Sequence, residues 1–148
     1  MTLYAVDKLM SEARRIAAEY RRTTGKSLGI SAEIARHDAC RLLRLEASDE
    51  GGGFDARDPA GRKIQIKGRA IFEESKSAPR IGQLKLEQDW DDVVLVLMDG
   101  EFQTTAIYRA PREVVMEALD DGKRSKRGAM SVARFRKIAE RVWTREPE

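Results

Sequence analysis

The chain has 148 residues, 41% of them hydrophobic, which suits one domain with a sizeable core and excludes a mainly disordered chain. Its 28 Lys+Arg against 25 Asp+Glu leave a formal net charge of +3, too small to name a partner. A single cysteine, Cys40, excludes an internal disulfide framework and a cysteine-rich zinc site, and the lone His37 excludes a histidine-cluster one. No apolar run approaches the ~20 residues of a membrane-spanning helix and the N-terminus carries no signal-like pattern, so a cytoplasmic location is expected.

In chain order, a first helix is expected over residues 6–22. Val6, Leu9, Met10, Ala13, Ile16, Ala17 and Tyr20 recur at spacings of three and four and form its core face. Thr23-Thr24-Gly25 ends it. A second helix starts at Ser31, whose hydroxyl is placed to cap the first turn, with Glu33 against the positive helix end. Its buried stripe is Ile34, Ala35, Ala39, Leu42 and Leu43. Residues 49–53 read as a flexible entry to a hairpin made of 54–58, the turn Pro59-Ala60-Gly61, and 62–69.

Residues 70–89 read as an exposed excursion in which 81–88 fits a short helix. The apolar run 93–98 suits a strand buried on both sides. Asp99-Gly100 turns the chain into a strand over 101–108, and Pro111 opens a helix to about 120. Ser131 caps a final helix whose stripe is Val132, Phe135, Ile138, Ala139, Val142 and Trp143. This order predicts an α/β fold, a central mixed sheet of four to five strands flanked by helices. One domain is expected over 1–148, with its core at about 30–98 and the helices of 111–143 packed on it.

Closing the three-residue turn at Asp58 and Arg62 places Asp55 opposite Gln65, with Lys67 two residues on and on the same face. Ile64 and Ile66 face the other way, with Ala56 and Phe54 across from them, and this apolar side is the one expected on the core. The polar trio has a plain structural reading, a cross-strand charge pair on a solvated hairpin face. It also has a chemical one. The order of an acid, a short turn and then x-I-Q-I-K-G resembles the PD-(D/E)xK nuclease superfamily, the restriction-endonuclease-like fold.

Through that resemblance Asp55 matches the first acid, Gln65 the second acidic position and Lys67 the lysine; Glu33 matches an extra acid that many members carry on the preceding helix. Phe54 stands where the motif has Pro, and Gln65 where it has Asp or Glu, which removes one anionic ligand. The resemblance implies a restriction-endonuclease-like core of helix, three strands, helix and a fourth strand. It implies Mg²⁺ or Mn²⁺ held by Asp55, the Gln65 side-chain oxygen, the Ile66 carbonyl and Glu33, with Lys67 supporting the transition state of phosphodiester hydrolysis.

Cations cluster at Lys123, Arg124, Lys126 and Arg127, and again around the hairpin at Arg57, Arg62, Lys63, Lys67 and Arg69. Phosphate backbones attract such patches. With the resemblance they imply a DNA partner, RNA being allowed, contacted by residues 123–127 and Arg69; cutting both strands would require a homodimer or another subunit. Glu73 and Glu74 read as surface, Gln83 and Lys85 as residues flanking the site, and His37 as surface or support. Cys40 reads as a small buried hydrophobe. The alternative function is a non-catalytic nucleic-acid-binding or complex-forming module on the same fold, for which Gln65 is the main argument. A third is a protein–protein interaction domain whose basic loop serves solubility.

Overall fold

The computed structural model describes residues 3–26, 28–49, 52–72, 79–82, 84–120 and 130–145. Its elements are α1 (Leu3–Thr24), α2 (Ser31–Leu43), β1 (Glu46–Ala47), β2 (Ala56–Arg57), β3 (Lys63–Ala70), β4 (Asp92–Met98), β5 (Thr104–Pro111), α3 (Arg112–Asp120), α4 (Val132–Ile138) and β6 (Glu140–Thr144). The six strands lie side by side in chain order. All neighbours are antiparallel except β3 and β4, which run parallel, so residues 71–91 must carry the chain back across the sheet. The fold is therefore α/β, with a mixed sheet of six strands where four to five were expected.

The apolar run of β4 is buried at every position, and alternate side chains feed two separate cores. Val93, Leu95 and Leu97 pack with Ile81, Leu84 and Trp90 of the crossover and with Val115 and Phe135 of α3 and α4. Val94, Val96 and Met98 pack with Ile34, Ala35 and Ala39 of α2 and with Ala17 and Ala18 of α1. Contact between α2 and β3 is close: a Cβ added at Gly68 would lie 2.3 Å from the Ala35 Cβ. Any larger residue at 68 would push the helix off the sheet.

Three expectations fail for identifiable reasons. The face of α1 is rotated: Leu9, Ile16 and Tyr20 are exposed, whereas Arg14 is buried with Ala17 and Ala18. Arg14 turns inward because it has partners there. Its guanidinium donates to both oxygens of Asp38 on α2, at 3.0 and 2.7 Å, and to the Phe102 carbonyl at 3.0 Å. The Thr104 hydroxyl of β5 donates to the same carboxylate. This buried polar knot ties two helices to the sheet, and each member is hydrogen-bonded.

The chain end is the second. Ser131 caps α4 as expected, its hydroxyl accepting from the Arg134 amide at 3.1 Å. Ala139 then turns extended, and residues 140–144 form β6 instead of prolonging the helix. The spacing of Phe135, Ile138, Ala139 and Val142 fits a helix, but β5 would otherwise leave a row of unpaired backbone groups, and β6 covers it. Third, the helix expected over 81–88 is not present among the described residues there; buried Ile81, Leu84 and Trp90 pin an extended crossover with one turn. Smaller differences follow. Ser31 makes no side-chain cap, α2 being preceded by Ile30, and Pro111 ends β5 instead of opening a helix. No helix is long and apolar enough to cross a membrane among the described residues.

Candidate functional site

The β2–β3 hairpin has the register that its turn chemistry demands. Ala56 pairs with Ile64 and Arg57 with Lys63. The Asp58 amide donates to the Arg62 carbonyl at 3.0 Å, the Asp58 side chain accepts from the amides of Ala60 and Arg62, and Gly61 sits at φ 86°. Arg109 and Arg62 then join the turn to β4 and β5. Arg109 bridges Asp58 and Asp92, each at 2.7 Å, and Arg62 holds the other oxygen of Asp92 at 2.6 Å.

Regular pairing stops at Asp55. Its amide donates to the Ile64 carbonyl at 2.8 Å, and its own carboxylate, not its backbone, accepts the Ile66 amide at 2.7 Å. That side-chain bond takes over a ladder position on β3 and holds the carboxylate against the strand. The irregularity also resets the faces. Phe54 leaves the side of Ala56 and Ile64 and joins the Val93–Trp90 core, contrary to the expected alternation. The Gln65 side is thus covered as well, and Gln65 is 3% exposed rather than displayed to solvent.

Asp55, Gln65, Ile66 and Lys67 line one cleft of about 350 Å³, closed by Gly52, Gly53, Ser48 and Asp49 on one side and by Lys85 of the crossover on the other. The two walls are tied together. The Asp89 amide donates to the Gly52 carbonyl at 3.2 Å, and a Cβ at Gly53 would come 2.1 Å from the Gln88 Cβ. Gly53 also has φ 95°, so two independent demands require glycine there.

Gln65 is the informative residue. Its amide nitrogen donates to the Gly53 carbonyl at 2.8 Å, which fixes which end of the amide is which. Its Oε1 is buried and has no hydrogen-bond partner among the described residues. A buried acceptor without a partner costs about 1–3 kcal/mol, so the arrangement has room for a donor or a cation beyond those the described residues supply. Lys67 is half-buried beside it. Burial lowers its pKa from the ordinary lysine value, Asp55 opposes that shift, and Lys85 and Arg69 reinforce it.

The other expected site residues are elsewhere. Glu33 is exposed and lines a second hollow with Asp7, His37, Cys40 and Arg41, between α1 and α2 and beside β1. In that hollow His37 Nε2 lies 3.2 Å from Asp7 Oδ1, and burial raises the Cys40 pKa. Arg69 is engaged with backbone, donating to the Gly68 carbonyl at 2.8 Å and to the Arg80 carbonyl. Lys123, Arg124, Lys126, Arg127, Glu73, Glu74 and Gln83 lie outside the described residues. Asp49 and Ser48 reach the cleft without having been singled out, because only the β1–β2 pairing, invisible in the sequence, brings 48 beside 55. The Ser48 amide donates to the Asp55 carbonyl at 2.9 Å.

A hard divalent cation takes oxygen donors, and the cleft offers the Asp55 carboxylate and the Gln65 Oε1, with the Ile66 carbonyl on the same strand. The unsatisfied Oε1 is the feature that fits such an ion. Among the described residues no three His, Cys, Asp or Glu side chains form a metal-binding group. Comparison with models of known protein families and with curated proteins finds no match to this chain.

Proposed function

We propose that this chain is a metal-dependent nuclease-like protein on a restriction-endonuclease-like core, binding DNA and hydrolysing its phosphodiester bonds. One observation carries the reading: the buried Gln65 Oε1, without a partner, shares a cleft with Asp55 and Lys67. The topology supports it. A helix, three antiparallel strands and a parallel fourth follow in order, as the resemblance implies, but no helix lies between β3 and β4 among the described residues.

Asp55, Gln65 Oε1 and the Ile66 carbonyl would hold Mg²⁺ or Mn²⁺. When bound, such an ion polarises a phosphoryl oxygen and lowers the pKa of water. The chain's own groups do the rest. The Ile66 amide fixes the Asp55 carboxylate in place, so no reorganisation is needed when substrate arrives. Lys67 presents a cation from a half-buried position, where its attraction for a phosphate is less screened than at an open surface. Lys85, on the facing wall, adds a second cation at the rim.

A non-catalytic nucleic-acid-binding module is the second reading, favoured by the missing charge at position 65. A nuclease assay on supercoiled, linear and single-stranded DNA and on RNA, with Mg²⁺ and with Mn²⁺, separates the two. The expected result is metal-dependent cleavage that falls roughly 10²–10³-fold in Lys67→Ala, the usual loss for one well-placed electrostatic group. Equal trace activity in wild type and variant would end the nuclease reading and leave the binding module.

A further inference from the structure

The cleft lacks negative charge for a divalent ion. Asp55 contributes one carboxylate, Gln65 contributes an uncharged oxygen, and Lys67 and Lys85 oppose a cation. Charge count is a main determinant of affinity at oxygen-ligand sites, so a functional site of this kind needs a second anion. The sequence points to Glu33 for that part. The fold puts Glu33 in the other hollow, lined by His37 and Arg41. Among the described residues, Asp49 is the other carboxylate lining the cleft itself.

We propose that Asp49, not Glu33, is the second anionic ligand of the divalent-cation site formed with Asp55 and Gln65. The inference rests on the metal-site reading above and deepens it. Three observations meet in it. First, backbone pairing sets the position: Glu46 faces Arg57 and Ala47 faces Ala56, and the Ser48 amide continues the pairing to the Asp55 carbonyl. Asp49 is therefore one residue from the direct neighbour of Asp55. Second, its side chain is fully exposed, and among the described residues its ion pair is with Arg36, whose Nη2 lies 3.3 Å away. A solvent-screened ion pair of that kind is worth about 0–1 kcal/mol and does not compete with a divalent ion. Third, the buried Gln65 Oε1, without a partner among the described residues, belongs to a residue lining the same cleft and has an open place for a donor or a cation.

The chemistry is ordinary. An exposed carboxylate beside a fixed one gives the second charge without requiring two anions to be buried together in the metal-free protein, where they would repel. Asp55 is the pre-placed member, held by the Ile66 amide, and Asp49 is the exposed one.

The test is Mn²⁺ binding to the full chain, followed by calorimetry and by the paramagnetic resonance of free Mn²⁺, with no nucleic acid present. Asp49→Asn is expected to weaken binding at least about tenfold, the smallest loss usual when a carboxylate around a metal is removed. Glu33→Gln should bind as wild type does. Both positions are exposed, and circular dichroism verifies that each variant folds. Wild-type affinity in Asp49→Asn, or a loss in Glu33→Gln instead, overturns the assignment while leaving the Asp55–Gln65 site standing. No Mn²⁺ binding by wild type overturns the assignment together with the reading beneath it.

Discussion

Two of the polar constellations in this fold differ in completeness. The knot of Arg14, Asp38, Thr104 and the Phe102 carbonyl is sealed: both oxygens of Asp38 accept hydrogen bonds and the guanidinium is matched by a carboxylate and a carbonyl. The cleft group of Asp55, Gln65 and Lys67 is open: Gln65 leaves a buried oxygen unmatched, and a hollow adjoins it. A satisfied buried network costs little to keep and fixes helices on a sheet. An unsatisfied one at a cleft is a standing cost, which folding tolerates when something outside the chain repays it. Completeness, more than burial or charge, separates the structural polar cluster from the candidate binding one.

The largest effect that would sharpen this contrast belongs to the sealed knot. Asp38→Asn leaves the Arg14 guanidinium buried opposite a neutral amide, and it should lower unfolding stability by about 3–5 kcal/mol in urea titration. A loss below about 1 kcal/mol would mean that the knot is ornamental and the comparison empty.

The open group should behave in the opposite sense. Gln65→Met keeps the length of the side chain, gives up the bond to the Gly53 carbonyl, and removes the partnerless oxygen. The first change costs about 1 kcal/mol and the second returns about 1–3, so stability should be unchanged or rise by up to about 2 kcal/mol. Stabilisation by Mn²⁺ should disappear in the same variant. A drop of more than about 2 kcal/mol in metal-free urea titration would place Gln65 with Asp38 as a structural residue.

The difference between the two groups also explains what the sequence could reveal. The hairpin register was legible because Asp58-Pro59-Ala60-Gly61 dictates its own turn, and a fixed turn sets which residues face one another. The run at β4 was legible because no polar residue interrupts it from Val93 to Met98. Arg14 was not, since an arginine among apolar residues reads as outward until its partner, 24 positions away on α2, is known. Val142 and Trp143 fit a helical spacing and were decided by the open edge of β5, a tertiary demand. Within the cleft, Asp55, Gln65 and Lys67 follow from hairpin geometry, whereas Asp49 enters through the β1–β2 pairing of short, exposed strands that carry no pattern. The orphaned oxygen could not be read at all, because it is a property of neighbours that are missing.

The smallest expected effect concerns pH and again separates the sealed knot from the rest. Burial disfavours the ionised form of Asp38, but the hydrogen bonds from Arg14 and Thr104 and the charge of Arg14 outweigh it, so its pKa lies below the usual 3.8. The unfolded chain therefore takes up this proton first as pH falls. The stability that the pairing contributes is complete above about pH 4 and is lost as pH drops through the lower, folded value. Urea titrations between pH 5 and pH 2 should show wild type losing stability more steeply than Asp38→Asn. The difference in slope cannot exceed about 1.4 kcal/mol per pH unit, the limit for one proton. Parallel slopes for the two proteins would show that Asp38 gains nothing from ionisation in the fold, and the sealed character assigned to its knot would fail on that measurement.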